Sequence, residues 1–189
     1  MVVTSKHLKI AVINAMLWRW HYSGATTEYL EASDVFGIRQ SMYSVEVEVK
    51  VCRQDFIREI NDIKAALLGK LPLPEGTKIT NHNKYHKHRK YQGIYKARWD
   101  SYIPNEFYFC VPSELKDIAL KEMQSIPSYG LMIYLGGTKV STASSMIDIS
   151  KRAKKLHDKK FEDISMLMHL FRKLSYEANF SREKLNAEK

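Results

Sequence analysis

Two carboxylates and one ammonium group alternate with valines in the segment VEVEVK, which runs from Val45 to Lys50. Alternation with a period of two predicts a β-strand that turns its valines toward the core and Glu46, Glu48 and Lys50 toward the opposite face. Solvated strands often carry such charges in cross-strand ion pairs, which is the structural interpretation. The chemical interpretation is that carboxylates and a lysine hold a divalent cation and a phosphate group.

A third acid precedes the neighbouring strand. The segments DVFGIR and YSVEVEVKV predict two strands joined around residues 40–42. If the turn is centred on Ser41, Asp34 lies opposite Glu48, with their Cα atoms roughly 4.5–5.5 Å apart. Lys50 follows two residues later on the same face. The sequence therefore predicts that Asp34, Glu48 and Lys50 form one compact group, whereas Glu46 faces Phe36 and is interpreted as a rim residue.

The chemistry that suits this group is hydrolysis of a phosphodiester. Adjacent carboxylates repel each other, and Mg²⁺, which usually binds one or two carboxylates together with phosphate oxygens, removes the conflict. The ion would act as a Lewis acid on the scissile phosphate and lower the pKa of its bound water. Lys50 would hold a phosphate oxygen or orient the attacking water.

Helices and strands that position this group can be predicted along the whole chain. In chain order we expect a helix over 5–20, strands over 34–39 and 43–51, a helix from 53 to Gly69, a basic loop over 75–104, a strand over 106–112, a helix over 113–124, strands over 129–135 and 138–142, and a helix from about 150 onward. This order predicts an α/β fold with a central mixed β-sheet flanked by helices. We expect a domain over 1–145 and a C-terminal helical extension over 146–189 packed on it.

In this order of elements the chain resembles the PD-(D/E)XK nuclease superfamily. The family motif is an aspartate at the start of one strand and Glu-x-Lys in the next, which here reads SDVFGIR and then VEVK. A helix precedes the hairpin and another, RQDFIREI, follows it, as in the family. Small phage and bacterial members share a basic segment of the KYHKH type before a strand like NEFYFCVP. Ser33 stands where many members have proline.

The resemblance implies a restriction-endonuclease-like core and a role for each matching residue. Asp34 and Glu48 would bind Mg²⁺, for which Mn²⁺ substitutes, and Lys50 would be the catalytic lysine beside them. Many members also have a glutamate on or after the first helix that reaches the metal, and Glu28 is the candidate here. The expected activity is metal-dependent cleavage of DNA.

The charge of the chain favours a polyanionic partner. The net charge is +9, and residues 70–100 contain eight Lys or Arg against two acids. The segment NHNKYHKHRKYQGIYKARW mixes cations with aromatic residues, which suits phosphate contact and base stacking. We expect Lys84, Lys87 and Arg89 to contact nucleic acid, with DNA as the expected polymer. Three nearby histidines lack the cysteines and the closing ligand pair of a zinc finger, which argues against a zinc site.

Compartment and alternative functions are less constrained by the sequence. Two cysteines in strand-like runs argue against a disulfide framework, and no apolar run reaches membrane-spanning length. We therefore expect a cytoplasmic protein with no membrane partner. If the protein is phage-encoded, the compartment is the host cytoplasm. A homodimer is possible. One alternative is a catalytically inactive nuclease-fold module that binds nucleic acid or a protein. Another is a small interaction protein that targets a host nucleic-acid enzyme.

Overall fold

The protein is represented by a computed structural model that describes residues 3–27, 33–67, 84–93, 103–136 and 146–160. Within these ranges the strands are β1 (Tyr22–Thr27), β2 (Val35–Arg39), β3 (Ser44–Val49), β4 (Glu106–Pro112), β5 (Gly130–Tyr134) and β6 (Ile147–Lys151). The α-helices are α1 (Ser5–Asn14), α2 (Arg53–Leu67), α3 (Lys84–Tyr91) and α4 (Lys116–Glu122). A π-helical turn (Ala15–Arg19) extends α1, and 3₁₀ turns (Ser113–Leu115 and Met123–Ser125) flank α4.

The described strands form one mixed sheet in the order β1-β2-β3-β4-β5-β6. The first three strands form an antiparallel meander, β4 and β5 run parallel to β3, and β6 returns antiparallel to β5. The prediction of an α/β fold with a central mixed sheet is confirmed. β3 lies inside the sheet, between β2 and β4. The hairpin turn joins one of its ends to β2, and the crossover to β4 begins at the other.

Helices cover both faces of the sheet. On one face, Leu8 and Val12 of α1 pack against the valines of β2 and β3, as expected from the alternating pattern. On the other face, Phe56, Ile60 and Ile63 of α2 pack on the apolar residues of β4 and β5. Glu46 and Glu48 point to this second face, so that their side chains lie beneath helices.

The register of the β2–β3 hairpin is the predicted one. Val35 pairs with Val47 and Ile38 with Ser44, and the Arg39 N–H donates to the Tyr43 carbonyl at 2.8 Å. These partners are symmetric about Ser41, which confirms the predicted centre of the turn. Val35–Val47 is the last pair of the ladder toward the start of β2, and continuing the register beyond it places Asp34 beside Glu48.

Three elements differ from the prediction. Residues 22–27 form β1, where no strand is predicted, because Gly24 interrupts the apolar pattern of YSGATT. The supposed basic loop contains α3, and residues 147–151 form β6 rather than the start of a helix. The part of the expected C-terminal extension that the structure describes therefore contributes a strand to the sheet. The predicted strand over 138–142 and the helical pattern after residue 160 lie outside the described residues.

Candidate active site

Glu48 and Lys50 meet at the end of β3. The Lys50 Nζ atom lies 2.9 Å from Glu48 Oε1 and 2.5 Å from Oε2 of Glu59, which belongs to α2. The backbone N–H of Lys50 donates to the carbonyl of Cys110 at 2.9 Å, so that β4 holds this end of β3 in place. The structure thus joins the glutamate and the lysine of the Glu-x-Lys motif and adds a second carboxylate to the lysine.

A second lysine reaches the same carboxylates from α3. The Lys87 Nζ atom is paired with Glu46 Oε1 and lies 3.2 Å from Glu48 Oε2. Burial alone would lower the pKa of Lys87, but the attraction of Glu46 and Glu48 outweighs it and raises the pKa, so the ammonium stays charged. The Tyr91 hydroxyl donates to Glu46 Oε2 at 2.6 Å. Glu46 is only 2% exposed, so its interpretation as a rim residue is wrong.

His88 connects α3 to Glu59 inside the aromatic core. Its Nε2 atom lies 3.0 Å from Glu59 Oε1, and its Nδ1 atom lies 3.0 Å from the Tyr129 hydroxyl. Burial lowers the pKa of His88 although the hydrogen bond to Glu59 opposes the shift, so the ring is neutral near pH 7. A neutral ring that donates from Nε2 must accept at Nδ1, and burial keeps the Tyr129 phenol protonated by raising its pKa.

Together these groups form what we call the buried cluster: Glu46, Glu48, Lys50, Glu59 and Lys87. Each of its carboxylate residues is at most 3% exposed. Counted by formal charge, its three carboxylates and two ammonium groups sum to −1. A buried set of charges is tolerated only when its members are paired with good geometry, and a net negative charge attracts a further cation. The interpretation of this strand face as solvated is therefore wrong.

Asp34, which was expected to form one compact group with Glu48 and Lys50, has its contacts outside the buried cluster. Its Oδ2 atom accepts a hydrogen bond from the Val49 N–H at 2.8 Å, and its Oδ1 atom lies 3.0 Å from Lys9 Nζ. Lys9 belongs to α1, which packs on the opposite face of the sheet. The Asp34 side chain is 25% exposed, more than any carboxylate of the cluster. The structure therefore binds Asp34 to the backbone of the strand that carries Glu48, and it pairs the carboxylate with a lysine from the opposite face of the sheet.

The remaining predicted site residues are Glu28, Lys84, Lys87 and Arg89. Glu28 lies outside the described residues, and the side chain of Lys84 is not described although its backbone belongs to α3. Lys87, which is expected to contact nucleic acid, pairs with Glu46 and Glu48. Arg89 is partly exposed on the same helix. Burial lowers the pKa of its neighbour Lys90 to about 8, with Glu46 opposing the shift.

Glu59 and Tyr91 are members of this site that the sequence reasoning missed. A signal for Glu59 exists, because it falls at the i+3 position from Phe56 on the apolar stripe of α2, where a charged residue is unusual. No comparable signal exists for Tyr91, since the helix that carries it is polar on nearly every side.

The donor chemistry of the site fits a hard divalent cation. Carboxylate oxygens are the usual protein ligands of Mg²⁺, and oxygens of Glu46 and Glu48 already converge on one cation, the Lys87 ammonium. Across the ranges that the structure describes, no group of three or more His, Cys, Asp or Glu side chains is arranged as a metal site. An ion that binds a Glu48 oxygen would lie close to the ammonium group of Lys50 or Lys87.

Comparison with known proteins bears on the fold alone. No family model matches the chain, and no curated protein matches it. A solved structure, the SPO1766 protein of unknown function from Silicibacter pomeroyi, is similar with a TM-score of 0.52 and 15% sequence identity. The match covers 98% of this chain and 94% of that one. Among the helices in the described ranges, none has both the length and the apolar character needed to span a membrane.

Proposed function

We propose that this chain is a metal-dependent nuclease of the PD-(D/E)XK type that hydrolyses phosphodiester bonds in DNA. The observation that supports the proposal most directly is the 2.9 Å pair between Glu48 and Lys50 at the end of β3. Asp34 stands at the start of the antiparallel neighbour, in a register that places it beside Glu48. The element order, with α1 before the meander and α2 after it, agrees with the order expected of the family and supports the proposal.

Lys50 is the proposed catalytic lysine, and Glu48 and Glu59 position its ammonium group. Held between two carboxylates, this ammonium can bind a phosphate oxygen or orient the attacking water, and it stabilises negative charge that develops during the reaction. Asp34 and Glu48 would hold Mg²⁺, or Mn²⁺ in its place. The bound ion would supply a Lewis acid for the scissile phosphate and a bound water of lowered pKa.

A nucleic-acid substrate is supported by charge. The chain carries a net charge of +9, and α3, with the sequence KYHKHRKY, borders the buried cluster. Cations near the scissile bond would contact phosphates, which positions a strand without reading its sequence. We propose DNA as the substrate on this basis.

Cleavage of plasmid and single-stranded DNA in Mg²⁺ or Mn²⁺ tests the proposal. We expect wild type to cleave, and Lys50→Ala to lose on the order of 100-fold or more in rate, because the lysine acts on the reacting groups. Lys64→Ala is the matched control, since Lys64 also pairs with a glutamate, Glu122, but lies outside the cluster. Equal activity of wild type and Lys50→Ala would contradict the role assigned to Lys50.

A second candidate is a catalytically inactive module of the same fold that binds nucleic acid or a protein. One observation favours it: both oxygens of Asp34 and both oxygens of Glu48 already have partners in Lys9, Val49, Lys50 and Lys87. Calorimetric titration with Mn²⁺ separates the two candidates. Binding that is lost in Asp34→Ala supports the nuclease, and the absence of Asp34-dependent binding supports the module.

A further inference from the structure

Lys87 occupies an unusual position for a lysine of a basic surface helix. Its side chain is only 9% exposed, and its Nζ atom contacts carboxylate oxygens of both Glu46 and Glu48. The same atom lies 5.2 Å from the centre of the Phe107 ring and 5.9 Å from that of Tyr91. Oxygen atoms and aromatic faces together enclose the ammonium, as they would enclose any small cation.

The two oxygens of Glu48 are shared between two lysines. Lys50 lies at Oε1 and Lys87 at Oε2, so a divalent ion on either oxygen would lie close to an ammonium group, and their repulsion favours displacement of one lysine. Lys50 follows β3 directly, its backbone is hydrogen-bonded to β4, and its ammonium is also held by Glu59. Lys87 is carried by α3, a separate helix outside the sheet. Withdrawal of Lys87 therefore leaves the hydrogen bonds of the sheet intact, whereas withdrawal of Lys50 breaks the proposed catalytic pair.

We propose that Lys87 is a built-in competitor of the divalent cation: its ammonium neutralises Glu46 and Glu48 in the metal-free protein and must leave before an ion binds at Glu48. This inference rests on the proposed function for the identity of the ion site. It makes α3 the element that governs metal occupancy. The metal-free protein avoids unpaired buried carboxylates, and the ion enters only by replacing a charge that is already present.

Metal affinity in variants of Lys87 tests the inference without reference to activity. Titrations with Mn²⁺ alone, followed by calorimetry and by electron paramagnetic resonance, compare wild type, Lys87→Met and the control Lys64→Met. We expect Lys87→Met to bind Mn²⁺ on the order of 10- to 100-fold more tightly than wild type, because the competing charge is gone. Lys64→Met, which removes a lysine paired with Glu122, should match wild type. Equal Mn²⁺ affinities of Lys87→Met and wild type would overturn the inference, as would a lack of binding by both.

Loss of Lys87 removes an ammonium from Glu46 and leaves Glu48 with that of Lys50, so Lys87→Met could fail to fold without metal. Lys87→Gln retains N–H donors for the carboxylates but removes the charge, and it is the second variant. We expect added Mn²⁺ to raise the thermal midpoint of Lys87→Gln more than that of wild type, since the ion binds the folded state more tightly. Equal increases in the two proteins would count against competition.

Failure of this inference differs from failure of the proposed nuclease activity. Wild type that cleaves DNA while Lys87→Met shows unchanged Mn²⁺ affinity would overturn only the competition. Tighter Mn²⁺ binding by Lys87→Met, in a protein that cleaves no DNA, would support the competition and contradict the nuclease proposal.

Discussion

Glu59 of α2 and Lys50 at the end of β3 form a 2.5 Å ion pair in which both side chains are less than a tenth exposed. The same glutamate accepts a hydrogen bond from His88 of α3. One carboxylate therefore links the end of β3 to two helices, and it fixes the ammonium group that we propose as catalytic. This link has consequences for stability that can be measured separately from activity.

Glu59→Gln should destabilise the protein. Glutamine keeps an oxygen for the His88 N–H but loses the charge that pairs with Lys50, so we expect the free energy of unfolding to fall by about 1.5–3 kcal/mol. The control is Glu122→Gln, which removes the carboxylate of another 2.5 Å lysine pair, with Lys64, at a more exposed position. There we expect a loss below about 1 kcal/mol. Chemical denaturation measures the free energy of unfolding of both variants. Equal losses would show that burial of the Glu59 pair adds nothing to the stability of the folded protein.

Stability should fall in mild acid because of His88. Burial lowers the pKa of His88 in the folded protein, while the nearby carboxylates of Glu59 and Glu48 oppose the shift and Lys87 reinforces it. In the unfolded chain the ring takes up a proton as the pH falls through about 6.5, and in the folded protein it does so only at lower pH. The unfolded state therefore binds more protons in this window, and the free energy of unfolding decreases as the pH falls.

The measurement is the unfolding free energy of wild type and His88→Gln between about pH 5 and pH 7. We expect wild type to lose stability more steeply toward acid than the variant, whose residue 88 does not titrate. Parallel curves would mean that His88 takes up its proton equally in both states.

Gly130→Ala should disrupt the start of β5. A Cβ atom at this position would lie 2.2 Å from the Tyr108 ring and 2.7 Å from the backbone nitrogen of Ala153. Because a backbone atom cannot move aside like a side chain, we expect a loss of about 1–3 kcal/mol or more. Gly37→Ala is the comparison, since the atoms nearest to its Cβ, the Met16 sulfur at 2.7 Å and the Tyr22 ring at 2.9 Å, both belong to side chains rather than to the backbone. Thermal unfolding should show the smaller loss for Gly37→Ala, and the reverse order would contradict this account.

The hairpin was predictable because its signals are local. Strict alternation over β3 fixes which residues share a face, and a tight turn about Ser41 fixes which residues pair. Both properties follow from neighbours in the chain, so the register of the hairpin could be derived without coordinates, whereas the partners that the structure gives Asp34 are Val49 and Lys9 rather than Glu48 and Lys50. The apolar stripes of α2 and α4 were predictable for the same reason.

The helix α3 was missed because nothing local favours it. Its sequence, KYHKHRKY, has no apolar stripe, and the burial of His88 and Tyr91 depends on partners from α2, β3 and the residue just before β5. Similarly, β1 contains a glycine and two threonines and is stabilised by pairing with β2. Such elements depend on contacts between distant segments, which outweigh intrinsic propensity.

By itself, the sequence determined the α/β class, the hairpin register and the set of acids and lysine that the motif contains. Only the tertiary structure decided that the charged face of β3 is buried and which cations neutralise it. The reason is physical: alternation specifies that one face is polar, but not whether helices cover that face. Glu59 and Lys87 come from other segments of the chain, and their partnership with Glu48 exists only once α2 and α3 pack over the sheet.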